Sequence, residues 1–262
     1  MKVADNRKAL ITGGASGFGR EIARTLDAAG AAVAVVDLDA GRAEETAAEF
    51  GSDAIGIGAD VRSAADVRAA VDRAVESFGG LDTLVISAGV FHMGELDQVT
   101  EEDWDRTLDV NLKGAFLATQ AAMPHLRESG RGRVVMISSD AGKRGFSALA
   151  PYTASKFGLN GLMESVAAEV AGDNVTVNTL CPVGCPTTGM GQEVLAEKIQ
   201  RTGDTAEAIM ARAAATNPLG RNVLETDVAD AVLFLVSEHA SFLTGVALDV
   251  DGGASLGSVP GV

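Results

Sequence analysis

An α/β protein built on a parallel, doubly wound sheet is the fold class that the sequence predicts, and three observations point to it. Short, nearly continuous runs of Val, Ile, Leu and Ala alternate with longer segments of helical periodicity. That pattern is expected where helices cover both faces of a parallel sheet. A Gly-rich turn joins the first apolar run to the first helical segment, and no Pro/Ser linker, repeat or low-complexity block divides the 262 residues. The chain therefore reads as one domain, 1–262, within the length that a single α/β core reaches.

Taken in order, strands are expected at 8–12, 32–37, 54–59, 83–87, 133–138, 175–181 and 246–251. Helices are expected at 17–29, 40–50, 63–78, 101–128, 151–171 and 226–237. About seven strands separated by helices make right-handed βαβ units, with helices on both faces of the sheet. The helix from Glu101 opens on Thr100 and Asp103, a box that satisfies its first free amides. The 151–171 helix carries Gly158 and Gly161, each costing about 1 kcal/mol relative to Ala. Close packing against another backbone would offset that cost, and an intersubunit helix is one such partner. The 184–217 segment is a long connection with its own helical stretch at 194–202 and a Gly203-Asp204 break. Connections of that length are often binding loops or lids.

Composition narrows the function. The 36 acidic residues outnumber the 21 basic ones, for a net charge of −15. This argues against nucleic acid or an anionic membrane as partner, since either needs a basic patch to replace counterions. Lys143-Arg144, Arg131 and Arg133 read as isolated charges at solvated loop positions. Cys181 and Cys185 stand four residues apart with no second pair or clustered His, so neither a zinc site nor a disulfide framework is expected. No run approaches the length of a membrane span, and a cytoplasmic location is expected.

Chemistry enters with Tyr152-Thr153-Ala154-Ser155-Lys156. In a helix, Tyr and Lys four apart share a face, roughly 5–6 Å apart at Cβ. An ammonium about 4 Å from the phenol is worth roughly 4 kcal/mol at an effective dielectric near 20. Before desolvation is subtracted, that attraction lowers the phenol pKa by up to roughly three units. Tyr152 is thereby a candidate proton-transfer residue near neutral pH. The same spacing also occurs in ordinary amphipathic helices, so the surrounding sequence has to decide.

Upstream, the turn Thr12-Gly13-Gly14-Ala15-Ser16-Gly17-Phe18-Gly19 ends the first strand and opens the first helix. Glycines at 13, 17 and 19 allow a tight turn and let a pyrophosphate approach the helix N-terminus. Asp37 closes the second strand, where a carboxylate accepts from the adenosine ribose hydroxyls and repels a 2′-phosphate. Neither Ser16 nor Leu38 supplies a compensating cation, so NAD is expected over NADP. Asp60 and Val61, after the third strand, are placed to flank the adenine.

With these motifs in order, the chain resembles the short-chain dehydrogenase/reductase family over essentially its whole length. The resemblance rests on TGxxxGxG, Asp60-Val61, Asn111, Ser139, YxxxK and Asp251-Gly252-Gly253. It implies a Rossmann-like fold and a reversible alcohol–carbonyl oxidoreduction without a metal. By position, Tyr152 looks like the acid/base, and Lys156 would lower its pKa and hold the nicotinamide ribose. Ser139 would hydrogen-bond the substrate oxygen, and Asn111 would hold a water linking Lys156 to solvent. Ser138 is the rival hydroxyl, but the family's thirteen-residue interval to the tyrosine selects Ser139. A homotetramer of two-fold symmetry is also implied.

Two positions depart from the family pattern. Ser87-Ala88-Gly89 stands where Asn-Ala-Gly is usual, and Pro182-Val183 stands where Pro-Gly is usual. Val183 does not adopt positive φ as cheaply as Gly, so this loop is expected to run differently. Thr187 matches the family's threonine five residues beyond Pro182, and Cys185 falls where a backbone contact to the nicotinamide carboxamide is expected. Pocket residues are expected from 90–93, 140–146 and 184–217. The leading expectation is an NAD-dependent dehydrogenase of a small secondary alcohol, with hydroxylated or cyclic alcohols included. The alternatives are a 3-oxoacyl thioester reductase and a non-catalytic NAD-binding sensor.

Overall fold

The computed structural model describes residues 4–51 and 53–256. Among them, seven strands form one sheet: β1 (Lys8–Thr12), β2 (Ala32–Asp37), β3 (Ile55–Gly58), β4 (Thr83–Ile86), β5 (Arg133–Ile137), β6 (Thr176–Pro182) and β7 (Ala247–Val250). The order is β3-β2-β1-β4-β5-β6-β7, and every neighbouring pair is parallel. The strand order reverses between β1 and β4, which opens a crevice beyond their carboxyl ends.

Helices cover both faces. On one side α1 (Gly17–Ala28), α2 (Ala40–Ala48) and α9 (Glu225–Val236) bury Ile22, Leu26, Ala43, Val232 and Leu235 against Ile11, Val33, Val35 and Val135. On the other, α3 (Ala64–Phe78), α5 (Gly114–Glu128) and α6 (Ala150–Val170) bury Val67, Val71, Ala122, Leu126, Leu159 and Met163 against Leu10, Leu84, Val134 and Met136. Successive strand residues point to opposite faces, so uninterrupted apolar strands are what a sheet covered on both sides requires. Asp60, Val61, Asp251 and the expected strand limits fall where the sequence places them, to within a residue or two.

The expected 101–128 helix is a continuous rod with a change of winding. α4 (Glu101–Leu108) passes through one π-turn, Asp109–Lys113, into α5. Thr100 and Asp103 make the expected capping box, with Asp103 N donating to Thr100 Oγ1 at 3.1 Å. The connection after β6 holds two helices, α7 (Gly189–Thr202) and α8 (Ala206–Thr216), where sequence patterning shows only part of the first. Gly203, at φ 72°, ends α7 in the left-handed conformation.

One charge assignment is corrected. Arg133 is only 1% exposed, and Arg131 lies 2.7 Å from Asp82. With buried Arg7, which pairs with Glu238 at 2.8 Å, they tie together the amino ends of β1, β4 and β5. Burial lowers the pKa of both Arg7 and Arg133. A basic side chain next to a strand start is indistinguishable in sequence from a loop charge, because its carboxylate partners are remote in the chain.

Candidate active site

The Gly-rich turn folds tightly against β4. Gly13 has φ +66°, and a Cβ there would stand 2.7 Å from the Ala88 backbone. A Cβ on Gly19 would stand 2.0 Å from the Gly13 carbonyl oxygen. Ser16 occupies the N-cap of α1 in extended geometry, but its hydroxyl caps no amide. The first-turn amides and the positive end of the helix dipole thus face the crevice without a side-chain cap, which suits a diphosphate. Phe18 is partly buried and packs against the core beneath α1. Asp37, half-buried at the end of β2, accepts from Ala15 N at 3.1 Å and from Asp39 N at 3.4 Å. Its carboxylate is thereby fixed beside the turn with acceptor capacity to spare.

Around that turn, Ser87 N donates to Thr12 O at 3.1 Å, so Ser in place of Asn leaves the β4 exit anchored on β1. Gly89 lies beside Lys156 Nζ, Asn111 Oδ1 and the Met190 methyl group. The Asp60 carboxylate is held by Arg62, with Nη2 at 2.7 Å, an ion pair that lowers its pKa. Val61 packs on the start of α5, where a Cβ on Gly114 would meet Val61 Cγ2 at 3.0 Å.

Tyr152, Lys156, Ser139 and Asn111 come together at the carboxyl ends of β4 and β5, and all four are buried. Ser139 neighbours the Tyr152 phenol, and Phe91 packs edge-on to the Tyr152 ring at 5.0 Å. Lys156 Nζ donates to the Ile137 carbonyl at 2.9 Å and stands 5.6 Å from the Tyr152 ring centroid. Asn111, inside the π-turn, accepts from Val90 N at 2.8 Å and donates to Val90 O and Ser155 Oγ, both at 3.0 Å. Both side-chain N–H donors are therefore taken, while Oδ1 keeps one acceptor site. Ser138, the rival hydroxyl, turns away to the Lys156 carbonyl.

The electrostatics correct the expected effect of Lys156 on Tyr152. Burial pushes the Tyr152 phenol up to about 12, the neighbouring Ser139 hydroxyl opposes the rise, and Asp140 adds to it. Burial brings Lys156 down to about 8, against an opposing influence from Cys181. Desolvation therefore outweighs the attraction that Tyr–Lys spacing alone suggests. Spacing gives proximity on a helix face but carries no information on burial.

After β6 the loop runs without the positive φ that glycine would permit, and Val183 is not among the left-handed residues. Cys185 is buried, its thiol directed to Val223 O and Thr187 Oγ1. Thr187 turns to α9 and donates to Glu225 at 2.8 Å. The neighbouring Thr188 packs within 3.5 Å of where a Gly17 Cβ would lie. The sequence register selects Thr187, whereas the structure sets Thr188 against Gly17 of the Gly-rich turn. No cluster of three or more His, Cys, Asp or Glu with metal-binding geometry occurs among the described residues. No helix there is long and apolar enough to cross a membrane.

The sequence matches the family model for short chain dehydrogenases over residues 7–199. The chain belongs to the short-chain dehydrogenases. Among curated short-chain dehydrogenases, it is 41% identical over 251 residues to 2-(S)-hydroxypropyl-CoM dehydrogenase 3 of Xanthobacter autotrophicus, covering 95% of this chain and 96% of that protein. It is likewise 41% identical to 4-formylbenzenesulfonate dehydrogenase of Comamonas testosteroni, covering 95% and 97%. Two crystal structures of such enzymes carry a nicotinamide cofactor. The 3-ketoacyl-(acyl-carrier-protein) reductase from Brucella melitensis, complexed with NADH, has a TM-score of 0.87 and 35% identity, covering 96% of this chain and 99% of that one. A single-residue variant of actinorhodin polyketide ketoreductase, with NADPH, has a TM-score of 0.91 and 35% identity, covering 97% and 99%. This short-chain dehydrogenase is thus an oxidoreductase of the nicotinamide-dependent type.

Proposed function

We propose that this chain is an NAD-dependent dehydrogenase that interconverts a small secondary alcohol and its ketone, working as one domain. The observation that carries this reading is the buried meeting of Tyr152, Ser139 and Lys156 beside the Gly-rich turn. When bound, the cofactor supplies the hydride acceptor or donor. Tyr152 takes the alcohol proton on its phenol oxygen and returns it in the reverse direction. Ser139 donates to the reacting oxygen and fixes its position. Lys156, whose one hydrogen bond among the described residues is to Ile137, presents its remaining N–H donors to the nicotinamide ribose. Asn111 holds the β4 exit through Val90, and its carbonyl is the place for a relay water.

In this reading Gly13, Ser16, Gly17, Phe18 and Gly19 hold the diphosphate side, and Asp37 holds the adenosine ribose. Asp60 and Val61 flank the adenine, while Ser87, Ala88, Gly89, Pro182, Cys185 and Thr187, joined by Thr188, line the nicotinamide half. Asp37 favours NAD because no cation is paired to it among the described residues.

Small substrates are favoured over carrier-bound thioesters by the fate of the nearest cations. Lys143 is spent on Asp249 at 2.7 Å, and Arg144 on Asp140 at 3.3 Å. Neither remains free to meet an acidic carrier or a coenzyme A phosphate on a chain of net charge −15. Thioester reduction stands as the second reading because of the likeness to the Brucella enzyme. A homotetramer is supported by half-exposed Trp104, Phe116 and Phe157 along α4, α5 and α6. A cytoplasmic location fits two free buried cysteines.

The test is turnover of a panel of secondary alcohols and 3-oxoacyl thioesters, followed by NADH absorbance. We expect kcat/KM for NAD to exceed that for NADP at least tenfold, a difference of about 1.4 kcal/mol. Asp37→Ala should narrow the gap. Equal use of both cofactors, or a thioester outperforming every small substrate, would overturn this reading.

A further inference from the structure

Ser139 has one hydroxyl hydrogen, and in this structure it is already placed. Oγ accepts from Ala141 N at 3.2 Å and donates to Asp140 Oδ1 at 2.9 Å. On the function proposed above, that same hydrogen has to reach the reacting oxygen. A hydroxyl donates once, so the two demands exclude each other. When Ser139 turns to the substrate, Asp140 Oδ1 loses a charge-assisted hydrogen bond at a site where its side chain is only 22% exposed.

No neighbour among the described residues replaces that donor. Arg144 Nη2 reaches the other oxygen, Oδ2, at 3.3 Å, and its guanidinium is held over the Phe146 ring at 5.1 Å. The Lys143 ammonium is tied to Asp249 and to the Ala247 carbonyl. Without Ser139, Asp140 Oδ1 has no side-chain donor among the described residues.

We propose that Asp140 selects substrates carrying a second hydroxyl on the carbon next to the reacting one. The neighbouring O–H becomes the donor to Asp140 Oδ1 and frees the Ser139 O–H for the reacting oxygen. Two oxygens on adjacent carbons in a gauche arrangement lie about one hydrogen-bond length apart, which matches the spacing between Ser139 Oγ and Asp140 Oδ1. The substrate class is a vicinal diol, oxidised to an α-hydroxyketone. The reacting C–H gives its hydride to NAD, its O–H proton goes to Tyr152, and the exchange at Asp140 moves no proton. Asp140 is a positioning residue that sets which alcohol receives the Ser139 hydrogen bond.

The inference rests on the proposed alcohol dehydrogenase activity, and the test separates the two. Initial rates with NAD are compared for 2,3-butanediol and 2-butanol, which share chain length and reacting carbon. Wild type should favour the diol in kcat/KM by at least about tenfold, the scale expected of a site built to pair a substrate hydroxyl. In Asp140→Ala the ratio should fall to within about threefold, because the partner for the second hydroxyl is gone. Asp140→Asn keeps size and one acceptor oxygen, and should retain an intermediate ratio. The ratio cancels any general loss of folded enzyme, and the wild-type comparison stands without either variant. Turnover of 2-butanol with no diol preference, or an unchanged ratio in Asp140→Ala, overturns the inference alone. No turnover with any alcohol overturns the parent reading and this one together.

Discussion

Replacing Lys156 by Met should make the cofactor-free protein more stable and the enzyme inactive. Lys156 is 5% exposed, and burial brings its ammonium from 10.5 to about 8. At 1.36 kcal/mol per tenfold, holding the charge at pH 7 costs roughly 3 kcal/mol. Removing the ammonium also removes its hydrogen bond to Ile137 O, worth roughly 1.5–3 kcal/mol for a charged donor. An unbranched apolar side chain fills the vacated space, and the net gain is about 1–2 kcal/mol. For a chain of this size that raises the melting temperature by about 2–8 °C.

The pH dependence gives a sharper signature. Between pH 8 and 10.5 the unfolded chain holds the Lys156 proton while the folded chain has released it. Stability contributed by this group therefore rises with pH across that window in wild type and not in Lys156→Met. Scanning calorimetry of both proteins at matched concentration, at pH 7 and pH 10, should show the variant's advantage closing or reversing. A variant less stable than wild type at pH 7, or a gap that does not move with pH, would refute the desolvation argument.

Tyr152→Phe keeps the ring against Phe91 and removes the transferable proton, so kcat should fall at least ~10²-fold while NAD affinity, read by calorimetry, changes little. Near-wild-type turnover would remove Tyr152 from the mechanism. Alcohol oxidation needs the ionised phenol, and burial and Asp140 both push Tyr152 upward. The rate should therefore climb from pH 7 to pH 10, and Asp140→Asn should shift the rising limb to lower pH. Gly161 faces open space on α6, with nothing within 4 Å of an added Cβ. Gly161→Arg should leave the fold intact and convert a tetramer to smaller species in light scattering, whereas a wild-type monomer at micromolar concentration would count against assembly.

Much of the fold is legible in the sequence because buried parallel strands tolerate little else than apolar residues. Leu10 and Ile11, neighbours in the chain, enter opposite cores, and both had to be apolar. The Gly-rich turn is legible for a related reason, since an added Cβ at Gly13 or Gly19 meets backbone. At Gly158 an added Cβ would meet the Leu112 side chain at 2.7 Å, a close contact within the protomer. The parts that are not legible depend on contacts remote in sequence. Arg133 finds Glu238 across 105 residues, and Thr187 finds Glu225 across 38. The direction of the Tyr152 pKa follows from burial by several elements at once, which the four-residue spacing to Lys156 does not encode.

The π-turn at Asp109–Lys113 has a consequence for how the chain tolerates change. A π-turn absorbs one extra residue locally, so the helix beyond it keeps the phase of an uninterrupted α-helix. Ala115, Ala118, Ala122, Met123 and Leu126 therefore cover the sheet as they would without it, while Asn111 sits on the widened turn against Val90 and Ser155. Removing one residue there would regularise the rod and leave the core under α5 in place, and the loss would fall on Asn111 alone.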